Sequence, residues 1–346
     1  MNKYIVFRSQ KPLSSFHMDK RALAVILVLF LVLALGIVLS IGIGSVHISV
    51  PDVLRSLVGM GESAHQIVVL NLRLPRIVAA VIVGAALAVS GAILQALVRN
   101  PLASPDLIGT TTGATAAAVA FISFTNGAFS IHWLPLVALV GGFFSASLTY
   151  MAAWRRGISP LRMALIGVSI SSAMSALTVF FMIAGPLHLA NQALGWMTGT
   201  IYGTSWEHVF VLLPWVSGFL LLTFLQIRYL NIQELGDDMA KGAGVNVEKK
   251  RLTLIAISVA LASAAVGIAG GISFVGLMAP HMARKLVGTG YGSLLPASAI
   301  LGGMFVLLAD LIARTLFVPL DIPAGVFTAT IGAPFFMYLL YKSRNR

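Results

Sequence analysis

The sequence predicts an all-α, polytopic integral membrane protein of about ten transmembrane helices, with both termini cytoplasmic. Three observations predict it. Of 346 residues, 58% are hydrophobic and only 10% are charged, whereas a soluble domain carries about 25% charged residues. Apolar runs near the length of about 20 residues that crosses a bilayer as helix recur along the chain. When these runs are threaded alternately through a membrane, nineteen of the 23 Lys and Arg residues fall on one side, as the positive-inside rule requires. The net charge of +12 therefore reports membrane orientation. Its carriers are scattered between apolar runs and form no single basic face, which argues against nucleic acid. There are no cysteines, so disulfides and thiolate metal sites are excluded.

Residues 1–20, with Lys3, Arg8, Lys11 and Lys20, form a basic cytoplasmic tail, and 21–346 form a single transmembrane domain. The first run, Ala22 to about Gly44, is too long for a signal-peptide core and lacks a small-residue cleavage site. It is a retained helix, the span 21–44. The remaining spans fall at about 70–98, 107–125, 133–153, 161–184, 207–228, 251–269, 273–288, 294–318 and 323–341. The second is longer than a crossing needs, which implies tilt or an extension beyond the bilayer. The eighth, SFVGLMAPHMARKLVG, is short and contains Pro280 and His281. Re-entry, or burial against other helices, is the alternative to a full crossing there.

Arg55, Arg73, Arg76 and Arg314 are the four exceptions to the charge rule, and the last three lie at outer helix ends. One reading is snorkelling to lipid headgroups. The other is a site for an acidic partner, since arginine pairs carboxylates bidentately.

Along the second span, Gly84, Ala85, Ala88 and Gly91 place small residues on one helical face, which permits close helix contact. RNPLASPD follows, where Pro101 and Pro105 break the helix in a tight turn. The longest polar cytoplasmic segment, residues 228 to 251, has room for an element outside the membrane. Within it QELGDDMAKGAGV reads as a short helix, a glycine stop at Gly242 or Gly244, and a turn. His281 follows a proline and lies near Arg284, where it would orient a helix break or line a pathway. Asp310 and Arg314 stand four apart and can pair on one helix face.

The motifs RLPR, GAALAVSGAILQ, RNPLASPDLIG, ELGDDMAKGAGV, FVGLMAPHMAR, AD…R and DIPAG…IGAPFF, in that order from about residue 65 to the C-terminus, together resemble the FecCD-type permeases. These are membrane subunits of ABC importers for iron–siderophore complexes, haem and vitamin B12. The resemblance implies a multi-pass permease of the bacterial cytoplasmic membrane that pairs with a second permease subunit, either another copy or a paralogue. It implies cytoplasmic ATPase subunits as partners and an extracytoplasmic substrate-binding protein or lipoprotein, with no cofactor and no metal held by the chain.

Carried onto this sequence, the family's coupling loop spans about 230–249, with Glu234, Leu235, Gly236, Asp237, Asp238, Ala240, Gly242, Gly244 and Val245 as the ATPase contact. Its binding-protein arginines fall on Arg73, Arg76 and Arg314. Pathway or structural-motif positions fall on Gly84, Gly91, Gln95, Asn100, Pro101, Pro105, Gly109, Pro280, His281, Arg284, Asp310, Pro323, Gly325 and Pro334. One departure is visible. The family commonly has Glu before an [IL]-P-V-G motif, and this chain has Asp321 and Ala324 there.

No glycine is followed by lysine, so no Walker A loop is present, and coupled ATP hydrolysis belongs to another chain. HExxH and GxSxG are also absent. Ser90 or Ser169 with His281 would be formal catalytic pairs, but no motif supports them. An ion-coupled secondary carrier would place ionisable groups near the bilayer midplane. Here the acids sit mostly at helix ends, which favours the ATP-driven importer. Within the family's range an iron(III)–siderophore is the expected substrate, with vitamin B12 or haem as the alternative.

Overall fold

The computed structural model describes residues 4–7, 16–44, 46–125, 129–153, 160–186, 194–317 and 321–344. The predicted tail residues Lys3, Arg8 and Lys11, the loop arginines Arg155 and Arg156, and Arg346 lie outside them. After a short antiparallel ribbon, β1 (Tyr4–Phe7) with β2 (Phe16–Asp19), the described chain is helical. The helices are α1 (Lys20–Gly42), α2 (Val50–Leu57), α3 (Ser63–Val98), α4 (Thr110–Thr125), α5 (Leu134–Ala153), α6 (Pro160–Ala184) and α7 (Trp206–Leu225). They continue as α8 (Ile227–Glu234), α9 (Asp237–Gly242), α10 (Val247–Ala269), α11 (Val275–Val287), α12 (Tyr291–Leu316) and α13 (Ala324–Arg344). The ribbon amends the all-α expectation only within the first 20 residues.

Every one of the ten predicted spans is a helix, yet among the described residues seven helices are long and apolar enough to cross a membrane. The three that fall short are α4 with 16 residues, α11 with 13, and α13, whose apolar part is Ala324–Leu339. The breaks explain the shortness of the first two. A 3-10 turn, Pro105–Ile108, precedes α4 and ends on Gly109 at φ 75°. Gly270 at φ 67° and the following Gly271 separate α10 from α11. Much of α11 is buried against α3 and α12, so protein rather than lipid surrounds it.

The long second run extends as helix from Ser63 to Val98. It includes a π-helical stretch, Ile67–Arg73, which leads into the α-helical portion, Leu74–Val98. At 36 residues and about 1.5 Å per residue, α3 exceeds the hydrocarbon thickness of a bilayer. It is also a central helix: α3 and α10 are buried along most of their spans, whereas α1 presents Leu27, Phe30, Leu31 and Leu35 outward. The small-residue face has the use predicted for it. A Cβ on Gly84 would collide with the Gly302 carbonyl of α12, and one on Gly91 with the Gly276 carbonyl of α11. Between these contacts Ser90 and Ser258 bind reciprocally across α3 and α10, each hydroxyl donating to the other's carbonyl at 2.8 and 3.1 Å.

Gly91→Ala should therefore destabilise the protein by about 1–3 kcal/mol or more, the range for overpacking a filled interior. Gly218→Ala, on a helix face with nothing within 4 Å of a new Cβ, should be tolerated. Thermal unfolding of the two variants in detergent checks both outcomes.

Candidate functional sites at the two ends of helix α3

The first site lies where the π-helical stretch of α3 leads into its α-helical portion, Leu74–Val98, and so at the N-terminal end of that portion. Arg73, within the π-helical stretch, is buried and donates from Nη1 to the carbonyls of Ile41 (2.6 Å) and Gly42 (3.2 Å), and from Nη2 to Val46 O at 2.5 Å. It thereby serves the carbonyls that the end of α1 leaves without intrahelical partners. One helical turn further along, Arg76 spans two carboxylates. Its Nε donates to Asp310 Oδ1 at 2.8 Å. Nη1 and Nη2 grip the two oxygens of Asp321 at 2.7 and 2.8 Å, the bidentate geometry that guanidinium favours. The Tyr202 ring lies 5.6 Å from the Arg76 guanidinium carbon.

Arg314 donates to the Ser40 carbonyl and, at 2.7 Å, to Ser40 Oγ. Its pairing with Asp310 four residues earlier is looser, Nε to Oδ2 at 3.8 Å, and neither of those two atoms is hydrogen-bonded among the described residues. Asp310 is therefore held chiefly by Arg76 on another helix. Three guanidinia and one carboxylate border a cavity of about 610 Å³, which Arg73, Arg76, Arg314, Asp321, Tyr202 and Thr204 line, while Asp310 lies fully buried behind Arg76.

The three arginines singled out from charge topology thus do converge. Sequence reasoning missed their intramolecular partners, Ile41, Gly42, Val46 and Ser40, whose carbonyls leave no mark in a residue pattern. Asp321 was visible only as a departure from a motif. The side chain of Arg76 is 12% exposed, that of Asp310 0% and that of Asp321 23%, so Asp321 is the accessible member of this network.

The second site lies at the other end of α3. Helices α8 and α9 form an elbow about Gly236, whose φ of 108° a side chain would resist. The helix and glycine stop expected from the sequence are present. Gly244 at φ 78° closes α9, with its N–H on Lys241 O (2.9 Å) and that of Val245 on Ala240 O (3.1 Å), a Schellman arrangement. Gly242 is simply the last helical residue. Ala240 is buried beneath the elbow, whereas Leu235 and Met239 are 67% and 62% exposed at its tip, and Glu234 and Asp238 are also exposed.

Asp237 turns inward. It accepts from Arg99, from Arg251 Nη2 at 2.7 Å and from Gln233 Nε2 at 2.9 Å. Tyr229 in turn donates to Gln233 Oε1 at 2.8 Å. Arg99, the residue that ends α3, has φ 50°, a left-handed backbone that costs a non-glycine residue about 1–2 kcal/mol. Beside this clasp Arg284 donates to Gln95 Oε1 (2.6 Å) and Tyr291 Oη (3.3 Å), and Gln95 donates to Leu277 O at 3.3 Å. Gln95, Arg99, Asn100, Pro101, Glu234 and Arg284 line a cavity of about 370 Å³.

The other motif positions serve chain breaks. Asn100 Oδ1 accepts the Leu102 N–H at 2.9 Å, Pro105 opens the 3-10 turn, and Gly325 donates to Gly199 O at 2.8 Å. Pro280 and Pro334 lie inside helices, and Pro323 immediately precedes α13. His281 joins neither cluster. Its ring is edge-on to Phe335 at 5.8 Å, and its buried Nε2 has no hydrogen-bond partner among the described residues. Among the described residues no group of three His, Asp or Glu could hold a metal ion.

Seven membrane-length apolar helices, packed through glycine contacts and carrying ionic clusters at their ends, define a multi-pass membrane protein. The FecCD transport family matches residues 31–342, and the chain belongs to that family. It is 45% identical over 332 residues to the "Probable siderophore transport system permease protein YfhA" of Bacillus subtilis, covering 94% of this chain and 97% of the relative. Identity to the achromobactin transport system permease protein CbrC of Dickeya dadantii is also 45%, over 92% and 91% of the two chains. The solved structure "An inward-facing conformation of a putative metal-chelate type ABC transporter" superposes with a TM-score of 0.82 at 33% identity, covering 92% of this chain and 99% of that one. The two sequence relatives are named as transport system permease proteins.

Two outcomes are expected. Asp310→Asn takes away one of the two carboxylates of Arg76, which Asp321 still holds, and should cost about 1–3 kcal/mol, the range for weakening a buried polar contact. Asp321→Asn, at the accessible edge, should cost less; the midpoints of thermal unfolding in detergent compare the two. The second outcome concerns pH. Burial pushes the Asp237 carboxyl up, but hydrogen bonds from Arg251 and Gln233 and the charges of Arg251 and Arg99 outweigh it and hold the group below its usual value. Its contribution to elbow stability is thus present above the unfolded value, near 3.9, and is lost as pH falls through the lowered native value. Hydrogen exchange of residues 233–245 should quicken over that acid window in the native protein, and Asp237→Asn should abolish the dependence.

Proposed function

We propose that this chain is the membrane-spanning permease subunit of a binding-protein-dependent ABC importer that carries an iron(III)–siderophore complex into a bacterial cell. ATP is hydrolysed on separate subunits. The observation that carries the reading is the construction of α3. A guanidinium-lined cavity at one end and a projecting elbow at the other are joined by a single helix, in a chain 45% identical to proteins named as siderophore and achromobactin permeases.

In this reading residues 21–346 form one permease domain with ten crossings, α4, α11 and α13 included, and both termini are cytoplasmic. The positive-inside count supports this orientation. The elbow then faces the cytoplasm, where Leu235 and Met239 supply an apolar knob for an ATPase subunit and the loop 230–249 is the coupling segment. The arginine cavity faces outward. Three guanidinia and Asp321 line it, and even with the buried Asp310 counted it keeps a positive balance; the exposed edge of the Arg76–Asp321 pair is where an acidic side chain of a binding protein engages. Apolar surface on α7, including Trp215, Leu221 and Leu222, is available to lipid or to a second permease subunit, either a copy or a paralogue.

The test is uptake of an iron(III)–siderophore into proteoliposomes holding the permease with its ATPase subunits. Uptake should require both ATP and the binding protein. The double variant Leu235→Glu/Met239→Glu should lose ATPase co-purification while staying folded. Affinity for the binding protein should fall as salt rises, since partly exposed charge pairs are screened. Uptake by the permease alone, driven by an ion gradient, would overturn the reading, and salt-insensitive docking would remove the arginine cavity from it.

A further inference from the structure

Helix α3 is fastened ionically at both of its ends, and the fastening at Arg99 is chemically odd. A residue that ends a helix with a left-handed backbone is ordinarily glycine, because glycine alone adopts that conformation without steric cost. Here the position holds arginine at φ 50°. Local backbone preference does not account for it. The side chain does, by reaching Asp237, the first residue of α9. Strain retained against local preference points to a role for the group that imposes it.

The contact is also a junction. One oxygen of Asp237 takes Arg99 and Gln233, and the other takes Arg251 of α10. A single carboxylate thus ties the elbow to the two most buried helices of the bundle. Away from the clasp, Leu235 and Met239 stand in the open, and Ala240 is the buried residue of α9. At the far end of its α-helical portion, Leu74–Val98, α3 is held by Arg76 to Asp310 and Asp321. Between the ends it is pinned by backbone contacts at Gly84 and Gly91. A helix packed this closely transmits a displacement instead of absorbing it.

We infer that Arg99 is a positioning residue for energy coupling: its clasp on Asp237 makes the elbow move with α3, so that events at the arginine cavity reach the elbow. This inference rests on the importer reading proposed above. Arg99 acts through Asp237 and touches no transported molecule. The clasp also gives Asp237 a part different from that of a contact residue, since its carboxylate is engaged within the chain and the elbow's outward surface is Leu235 and Met239.

The experiment uses the permease assembled with its ATPase subunits in nanodiscs, with ATP hydrolysis measured with and without the substrate-loaded binding protein. Arg99→Gly relieves the backbone while deleting the guanidinium. It should keep thermal stability, ATPase co-purification and unstimulated hydrolysis at wild-type levels, while the stimulation by the binding protein falls about fivefold or more, the lower end of measured inter-site couplings. Arg99→Lys, which keeps a cation, should recover part of the stimulation. Arg99→Gly combined with Asp237→Asn should lose no more stimulation than the worse single variant, because both remove one interaction.

Full stimulation in Arg99→Gly would overturn the inference. So would a loss accompanied by poorer ATPase co-purification, which is what a merely structural role produces. A wild-type complex that shows no stimulation at all would overturn the importer reading, and this inference with it.

Discussion

Lipid cannot solvate a carbonyl, so wherever a helix ends or bends within the bundle the freed backbone groups must find partners in the protein itself. Much of the side-chain chemistry in this chain answers that constraint. Arg73 serves the last carbonyls of α1, and Arg314 serves Ser40 in the same turn. Thr149 donates to Ile108 O at 3.0 Å and Ser171 to Asp106 O at 3.1 Å, covering the 3-10 turn ahead of α4. Trp206 Nε1 donates to Leu70 O at 2.8 Å, within the π-helical stretch where the regular ladder is widened. The short helix α4 starts where the Thr149 and Ser171 hydroxyls cover the carbonyls of the turn ahead of it.

The same constraint decides what could be read from the sequence. Apolar length is a property of contiguous residues, so a helix was legible at each of the ten predicted spans, and a glycine stop was legible after the short helical pattern, though not whether it fell at Gly242 or Gly244. The small face of α3 was legible for the same reason. The partners of Arg73 were not, because they are carbonyls some thirty residues away and carbonyls are common to every residue. The pairing of Asp310 with Arg314 was read from i, i+4 spacing, yet Arg76 takes the better geometry from a neighbouring helix. Spacing identifies who can meet on one helix, and packing decides who does. Asp321 was noticed only for its shorter side chain; its two oxygens prove well placed to receive a guanidinium fork.

Arginine rather than lysine suits both clusters for a common reason. Arg76 satisfies two carboxylates with three N–H groups in one plane, and Arg73 reaches three carbonyls from two terminal nitrogens. A lysine ammonium offers its donors from a single point and could not span these partners. Burying such ions adds little net stability over a well-packed apolar core. Here each arginine joins elements far apart in sequence, so the charges fix which helix ends lie together more than they add to the free energy of folding.

The two ionic clusters differ in a way that bears on movement. Around Arg76 the side chains are 12% and 0% exposed for the pair with Asp310, so salt and water screen that contact little. At the elbow Arg99 is 44% and Asp237 31% exposed, within reach of counterions whose screening length is about 8 Å at physiological ionic strength. The first contact is therefore the stiffer and the second the more readily exchanged. The bundle thus holds α3 through a buried contact where Arg76 meets Asp310 and through a more exchangeable one where Arg99 meets Asp237. The left-handed backbone at Arg99 sharpens this asymmetry, because release of the clasp also releases local strain and so lowers the cost of letting go.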